Sequence, residues 1–203
     1  MKRMRRKVDE FLEDWKKSEG KYPLIIKGAR QIGKTEAIEH FAKKHYKSVI
    51  EINFILQKQY KTIFDDSFDV DKIIKNISLM NPEFQFIENE TLFFFDEIQD
   101  CINCATSLKS FHIDGRYDVI YSNSLMGINY QEIESNSVGY KQDYEMYSLD
   151  FEEYLWAKGY SDEQIEGFYQ KMLHIQALST VEYNVLFENF REYMVLGGMP
   201  RVV

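Results

Sequence analysis

The residues best suited to chemistry in this chain form a glycine-flanked loop that can hold phosphate groups. Residues 28–35 read Gly-Ala-Arg-Gln-Ile-Gly-Lys-Thr and fit the pattern G-x-x-x-x-G-K-[ST]. The glycines permit a tight turn with converging backbone N–H groups, Lys34 neutralises the β and γ phosphates, and the Thr35 hydroxyl ligates magnesium. The residues expected to contact a nucleotide are Gly28, Ala29, Arg30, Gln31, Ile32, Gly33, Lys34, Thr35 and Glu36.

An apolar run that ends in two carboxylates is the second such element. Leu-Phe-Phe-Phe at 92–95 is followed by Asp96 and Glu97. An aspartate at the end of a strand can hold Mg²⁺ directly or through water. Glu97 can then orient and polarise an attacking water, a role worth on the order of 10²–10⁴ in rate. A solvated acidic turn is the alternative, and the phosphate-binding loop upstream favours the catalytic interpretation.

These residues need a scaffold of alternating strands and helices, and the apolar pattern predicts one. Continuous apolar runs indicate buried strands, whereas spacings of three and four indicate helices. The pattern predicts helices over about 4–17, from Lys34, over 70–79 and over 103–112, and strands over 22–27, 48–53, 91–95, 117–121 and 138–149. This alternation predicts an α/β fold with a parallel five-stranded sheet flanked by helices.

Length and composition indicate one globular core with a small helical appendage. The 203 residues are 44% apolar and 29% charged, which excludes long intrinsic disorder. We expect a nucleotide-binding core over residues 1–149 and a helical segment over 150–203. Three capping boxes predict the starts of its helices: Asp150 with Glu153, Ser161 with Gln164, and Ser179 with Glu182.

The sequence predicts no membrane attachment and a cytoplasmic location. No apolar run reaches the roughly 20 residues of a membrane span, and the N-terminus lacks the apolar stretch of a secretory signal. Five of the first seven residues are Lys or Arg although the net charge is −8. That basic cluster could contact the phosphates of a nucleic acid, but a solvated helix start is favoured.

The two cysteines invite a metal or redox interpretation that the rest of the chain does not support. Cys101 and Cys104 have the spacing C-x-x-C. A zinc site needs four ligands and no second pair of cysteines exists, while a thioredoxin-type motif would follow the first strand of its fold. We therefore expect two thiols on one helical turn in a reducing compartment.

Five segments taken in order resemble a known family. They are Gly-Ala-Arg-Gln-Ile-Gly-Lys-Thr at 28–35, Phe-Phe-Asp-Glu-Ile-Gln at 94–99, Asp-Gly-Arg-Tyr-Asp-Val-Ile at 114–120, Leu-Asp-Phe-Glu-Glu-Tyr-Leu at 149–155 and Gly-Gly-Met-Pro at 197–200. Together they resemble the prokaryotic AAA+ family of P-loop ATPases that carry a C-terminal domain of unknown function. The resemblance implies strand order 5-1-4-3-2 and ATP as ligand. Members continue well past Gly-Gly-Met-Pro, so the chain is expected to be a fragment of a longer protein.

The resemblance also implies a polar "sensor" after the fourth strand, which hydrogen-bonds the γ-phosphate or the lytic water. Asn123 and Ser122, in that order, are the candidates, and an ordinary Ser/Asn turn is the alternative. Members usually read Gly-Ser-Leu-Leu-Gly here, whereas this chain has Asn-Ser-Leu-Met-Gly at 123–127. An arginine finger is also typical of the family. Arg116 and Arg201 are candidates, although Arg116 is expected to pair with a nearby carboxylate.

The sequence therefore predicts an enzyme that hydrolyses ATP to ADP and phosphate with Mg²⁺. ATP is favoured over GTP because the guanine-reading sequence Asn-Lys-x-Asp is missing. The work would be coupled to a protein or nucleic-acid partner, and a homo-oligomer is compatible with a finger supplied by a neighbour. Two alternatives stay open: a nucleotide-dependent switch with little hydrolysis, and a nucleic-acid-binding module that uses the basic N-terminus.

Overall fold

The computed structural model of the protein describes residues 3–124 and 139–203 and divides into two compact units. The sheet unit comprises Leu12–Met146, and the helical unit comprises Met1–Phe11 together with Tyr147–Val203. Helix α1 (Lys7–Lys17) begins in the helical unit and ends in the sheet unit. The division of function between residues 1–149 and 150–203 stays a prediction.

A parallel five-stranded sheet forms the scaffold of the sheet unit. Its strands are β1 (Leu24–Gly28), β2 (Ser48–Asn53), β3 (Thr91–Asp96), β4 (Asp118–Ser124) and β5 (Gln142–Glu145). Every pairing is parallel, and the strands lie in the order β2-β3-β4-β1-β5. This order is the expected 5-1-4-3-2 read from the other edge, so the predicted fold class is confirmed. Strands so arranged bring their carboxyl ends to one edge of the sheet.

Strand β3 lies at the centre of the core because every one of its residues is buried. Phe93 packs on Phe95 with ring centroids 5.8 Å apart, and Phe95 packs on Tyr121 of β4 at 5.4 Å. Aromatic and β-branched residues suit the half-buried surface of a sheet, and a strand covered on both faces needs no polar alternation. The buried aromatic core therefore fixes the position of Asp96, which is the last residue of β3.

Helices cover the sheet and connect its strands. In the sheet unit these are α2 (Lys34–His45), α3 (Val70–Met80), α4 (Ile102–Thr106) and α5 (Leu108–Asp114), with 3₁₀ turns at Lys58–Phe64 and Ile98–Asp100. Helix α2, which was predicted to begin at Lys34, buries Ala37, Ile38, Phe41 and Ala42. Helix α3 likewise buries Val70, Ile73 and Ile77, while Ile74 is only partly buried.

Two predicted elements differ from the structure. The helix predicted over 103–112 is two short helices, because Ser107 donates its hydroxyl to the Cys104 carbonyl over 2.6 Å and its backbone N–H to the same oxygen. The strand predicted over 138–149 is only β5. Its pairing with β1 ends at Glu145, which lies opposite Lys27. The next residue, Met146, still donates its backbone N–H to the Lys27 carbonyl. Val138 lies outside the described residues.

The helical unit contains α6 (Phe151–Ala157), α7 (Asp162–Leu173) and α8 (Thr180–Leu196). All three predicted capping boxes are present. Asp150, Ser161 and Ser179 each accept a hydrogen bond from the backbone three residues on, and the side chain there returns a bond to the capping residue. Neither α7 nor α8 contains a buried residue. These two helices are therefore defined by their ends more than by a core.

The described basic residues at the start of the chain, from Arg3 to Lys7, belong to the helical unit and are paired within it. Arg6 is 6% exposed and donates its Nε to Glu153 over 3.0 Å. Arg5 bonds both oxygens of Asp162 at 2.7 Å. Lys7 Nζ lies 2.6 Å from Asp150 Oδ2. The expectation of a solvated helix start is wrong for Arg6, because a buried carboxylate holds its guanidinium.

Candidate functional site

The glycine-flanked loop connects the carboxyl end of β1 to the first turn of α2. A Cβ on Gly28 would lie 2.2 Å from the Met146 carbonyl oxygen, so only glycine fits there. Gly33 caps α2 with φ at 94°, in the left-handed region that favours glycine. Gln31 has φ at 67°, which is strained for a residue with a side chain. The loop thus leads into the amino end of a 12-residue helix, where free backbone N–H groups attract anions.

Lys34 lies back against its own loop. Its Nζ donates to the carbonyl oxygens of Gly28 at 2.8 Å and Ala29 at 2.7 Å. Burial lowers the pKa of Lys34 from its ordinary value, while the carboxylates of Glu97 and Asp96 act in the opposite direction. The ammonium is therefore held at the mouth of the loop, close to the carboxylates of Asp96, the last residue of β3, and Glu97, which follows it.

Asp96 receives hydrogen bonds from three neighbouring elements. The amide of Asn53, at the end of β2, donates to Oδ2 over 2.8 Å, and Ser122 of β4 donates to Oδ1. Thr35 Oγ1, in the first turn of α2, lies 3.4 Å from Oδ2. Asp96 is only 4% exposed. The strand order explains the convergence, because β2 and β4 flank β3 and their polar ends reach the same edge.

Thr35 and Asp96 fit a magnesium ion. Their oxygens form the hard donor set that Mg²⁺ prefers, and their separation of 3.4 Å is close to the roughly 3 Å between adjacent oxygens of an octahedral ion. Among the described residues no group of three or more His, Cys, Asp and Glu is placed to hold a metal. Mg²⁺ uses only one or two protein ligands and keeps several waters, so this pair is sufficient.

Glu97 adopts a strained backbone conformation and is held by two side chains. Its φ is 58°, in the left-handed region. Ser124 donates its hydroxyl to Oε2 at 2.6 Å, and the amide of Gln99 donates to the same oxygen. The backbone N–H of Glu97 donates to the Ser122 hydroxyl at 3.2 Å. The direction of this carboxylate is therefore fixed by β4 and by the turn that follows β3.

The two sensor candidates differ in where the structure puts them. Ser122 contacts Asp96 and Glu97 directly. Asn123 is 1% exposed, and within residues 3–124 and 139–203 neither its amide nitrogen nor its amide oxygen has a hydrogen-bond partner. Adjacent residues of a strand face opposite sides of the sheet, so Ser122 and Ser124 share one face and Asn123 lies on the other. Leu125, Met126 and Gly127, the rest of the segment that departs from the family pattern, lie outside the described residues.

Sequence reasoning missed three residues of this site as contacts of the carboxylates: Asn53, Gln99 and Ser124. Asn53 carried a usable signal, since it is a polar residue at the end of a strand and pairs in register with Asp96. Ser124 lies two residues after Ser122, and strand alternation puts both on one face. Gln99 ends the family-like segment 94–99, but its contact with Glu97 depends on the 3₁₀ turn Ile98–Asp100, which the apolar pattern did not predict.

The remaining candidates lie at the edge of the site or outside it. Ala29, Arg30, Gln31 and Glu36 are exposed, whereas Ile32 is buried. Arg116 bonds Asp114 and Asp71, both at 2.6 Å, which agrees with the expected carboxylate pairing. Arg201 is an exposed residue of the helical unit. A nucleotide contact for the exposed loop residues and an arginine finger stay predictions.

The two cysteines are buried and are not joined in a disulfide. Cys101 precedes α4 and Cys104 lies within it. Burial raises the pKa of Cys101 to about 11 and raises that of Cys104 well above its ordinary value. Thiols that stay protonated at neutral pH are poor nucleophiles and poor metal ligands.

One family model matches the chain. It is described as an AAA domain and it matches residues 20–155, which include the glycine-flanked loop, Asp96, Glu97 and the end of β4. No curated protein matches the sequence significantly. In the ranges 3–124 and 139–203, no helix is long and apolar enough to cross a membrane.

Solved structures similar to this chain include those of DnaA, PCH-2 and ORC1. AMPPCP-bound DnaA from Aquifex aeolicus has a TM-score of 0.49 at 14% identity, with 95% of this chain and 56% of that chain covered. PCH-2 from C. elegans has a TM-score of 0.45 at 9% identity, with 85% of this chain and 48% of that chain covered. ORC1 from Aeropyrum pernix in complex with DNA has a TM-score of 0.43 at 11% identity, with 73% of this chain and 45% of that chain covered. The chain spans about half the length of these proteins, and likeness this distant carries no argument about activity.

Proposed function

Since the chain belongs to the AAA domain family of P-loop ATPases, we propose that it binds ATP with Mg²⁺ and hydrolyses it to ADP and phosphate. The observation that carries the proposal is the meeting of Thr35 and Asp96, whose side-chain oxygens lie 3.4 Å apart. They join the amino end of α2 to the carboxyl end of β3. A phosphate chain and its ion need both elements together.

The loop residues bind and orient the phosphates. The free N–H groups at the start of α2 donate to phosphate oxygens, and Lys34 exchanges its bonds with Gly28 and Ala29 for bonds to the β and γ phosphates. The exchange leaves the ammonium with anionic partners in place of two neutral carbonyl groups. Thr35 and Asp96 would hold a magnesium ion, which would add positive charge beside the same phosphates.

Glu97 is the proposed catalytic residue, and its two partners are positioning residues. The carboxylate accepts a proton from the attacking water as that water meets the γ-phosphorus. Ser124 and Gln99 hold Oε2 and leave Oε1 for the water. Ser122, which contacts Asp96 and the Glu97 backbone, is the better placed of the two sensor candidates.

A nucleotide-dependent switch with negligible hydrolysis is the second candidate. The observation that favours it is the pair of hydrogen bonds on Glu97, since Ser124 and Gln99 occupy one of the two oxygens that could receive a proton from water. The nucleic-acid module based on the basic N-terminus loses support. Arg5, Arg6 and Lys7 already have carboxylate partners.

Replacing Lys34 tests nucleotide binding. We expect Lys34→Ala to weaken ATP affinity by on the order of 10² or more, because a charge-assisted contact to phosphate is worth several kcal/mol. Isothermal titration calorimetry with ATP and Mg²⁺ measures it. Lys43→Ala removes an exposed lysine of the same helix and should leave affinity unchanged. Equal ATP affinity in wild type and Lys34→Ala contradicts the proposed site.

Phosphate release by the wild-type chain separates the two candidate functions. Release over a concentration series, with and without DNA, supports the ATPase, and tight ATP retention without release supports the switch. Specific activity that rises with protein concentration would indicate a homo-oligomer with an arginine finger supplied by a neighbouring subunit. Stimulation by DNA would indicate a nucleic-acid partner.

A further inference from the structure

The three helices of the helical unit surround an open apolar groove of about 740 Å³. Its walls are aromatic and aliphatic side chains from α6, α7 and α8. Many of them face solvent: Met172 is 64% exposed, Tyr183 54%, and Phe187 and Phe190 are each 45% exposed. Large apolar side chains at such exposure in one continuous patch mark an interaction surface.

Two matching apolar stripes form the walls of this groove. On α7 the stripe consists of Ile165, Phe168, Tyr169 and Met172, and on α8 it consists of Tyr183, Leu186, Phe187 and Phe190. Both follow the spacing i, i+3, i+4, i+7, which is the face that an amphipathic helix normally buries. All eight residues line the groove, and none is buried. Helices α7 and α8 therefore each present an apolar face of the kind that normally packs in a core, and neither face is buried.

The groove carries an acidic charge. Glu152 and Glu166 lie in its lining. The acidic residues of α7 and α8 are Asp162, Glu163, Glu166, Glu182, Glu188 and Glu192, against only Lys171 and Arg191 as basic ones. Four of these six carboxylates are paired with cations: Glu182 with Lys171, Glu188 with Arg191, Glu192 with Lys158 and Asp162 with Arg5. Glu152 of the lining is likewise paired, with Lys7. Among the described residues the acidic charge of this face therefore rests on Glu166, in the groove, and on Glu163 beside it. A basic ligand would meet a complementary surface.

We propose that this groove docks an amphipathic helix of a partner protein, with apolar anchors on one face and Lys or Arg beside them. The stripe from Ile165 to Met172 covers about 10 Å of helix at roughly 1.5 Å per residue. It matches about two turns of a docked helix, whose own anchors would recur at i, i+3, i+4 and i+7. The apolar residues supply the buried area, while Glu166 and its acidic neighbours select a basic flank.

Two observations favour a basic helix over other occupants. The groove is lined by side chains of helices, so it has no strand edge to pair with an extended peptide, whereas a helix satisfies its own backbone groups. A second copy of this chain would bring the same acidic surface against itself. Like charges placed together at an interface oppose that association.

Designed peptides on the intact chain test the proposal. The probe is a fluorescein-labelled helical peptide of about 18 residues, with Leu at the anchor positions and Lys on the flanks. One comparison peptide has Glu in place of every Lys, and another has the same composition in scrambled order. Fluorescence anisotropy without nucleotide should show saturable binding of the Lys peptide, with at least about tenfold weaker binding of the other two.

Matched variants locate the binding site. Phe187→Ser should weaken the Lys peptide by about tenfold, as expected for an aromatic anchor at a groove centre. Val181→Ser changes an apolar residue of α8 that is 71% exposed and outside the groove, and should leave binding unchanged. Glu166→Gln should weaken binding about threefold and reduce its salt dependence, while Glu188→Gln should do neither. Circular dichroism confirms that each variant keeps its helices.

Three results would overturn the proposal. Equal binding of the Lys and scrambled peptides would show that helical anchors do not matter. Binding that ignores Phe187→Ser and disappears with salt would be general attraction to an acidic surface. Sedimentation showing a dimer that Phe187→Ser dissociates would assign the groove to a second copy. Because no nucleotide is used, these results are independent of the proposed ATPase activity.

Discussion

Different interactions stabilise the interior of the sheet unit and the helices of the helical unit. In the sheet unit, all residues of β3 are buried, and rings from β3 and β4 form its core. In the helical unit, α7 and α8 bury no residue, and capping boxes define where they start. Apolar burial contributes roughly 1.5–3 kcal/mol for each large side chain, whereas a cap contributes about 1 kcal/mol. We therefore expect stability to be concentrated in the sheet unit.

This difference corresponds to two kinds of work. The proposed phosphate site needs side chains held to within a fraction of an ångström, and the ends of β2, β3 and β4 supply that rigidity for Asn53, Asp96 and Ser122. The proposed docking groove needs apolar side chains that stay open until a partner covers them. A region with few buried contacts suits this, since it gains its core only on binding.

The largest stability effect should come from the core of the sheet unit. Phe93→Ala removes a fully buried ring that contacts Phe111 at 5.2 Å and Tyr117 at 5.4 Å, so we expect a loss of about 3–5 kcal/mol. Phe187→Ala, in the helical unit, should cost less than about 1 kcal/mol. Urea denaturation of both variants measures the contrast. Equal losses would remove the distinction between the two units.

The helical unit also contains a buried ion pair. Glu153 accepts hydrogen bonds from Arg6 Nε at 3.0 Å and from the Lys7 N–H at 2.7 Å. Glu153→Ala leaves a buried guanidinium without its carboxylate and should cost about 3 kcal/mol. The control Glu152→Ala changes a carboxylate that is 42% exposed, and should stay within about 0.5 kcal/mol. Thermal unfolding compares the two, and similar melting temperatures would exclude this anchor.

A smaller effect is expected at the start of α8. Ser179 accepts a hydrogen bond from the Glu182 N–H at 3.3 Å, so Ser179→Ala should cost about 1 kcal/mol. Thr180→Ala changes the next, exposed residue and should have little effect. Helical content measured against temperature distinguishes the two variants. An unchanged melting curve for Ser179→Ala would show that this capping box does not stabilise α8.

The sequence predicted the features that local patterns control. Apolar runs located the strands, Gly28 and Gly33 marked the turn between β1 and α2, and the three capping boxes are present at the predicted residues. The break at Ser107 was not predictable from apolar spacing, because both short helices keep their buried faces and the break depends on one hydroxyl.

Contacts between distant residues were the least predictable part of the site. Asn53 reaches Asp96 across 43 residues only because β2 lies beside β3 in the folded sheet. Apolar pattern does not reveal which strands are neighbours. Asn123 was placed before Ser122 as a sensor candidate, whereas strand alternation puts Ser122 on the face that contacts the carboxylates.

The central claim is that Glu97 activates water beside a phosphate held by Lys34, Thr35 and Asp96. The most direct test measures ATP affinity and phosphate release together in wild type and in Glu97→Gln, which keeps the size of the side chain. We predict unchanged ATP affinity and phosphate release lower by on the order of 10²–10⁴. Equal phosphate release by the two proteins would contradict the account.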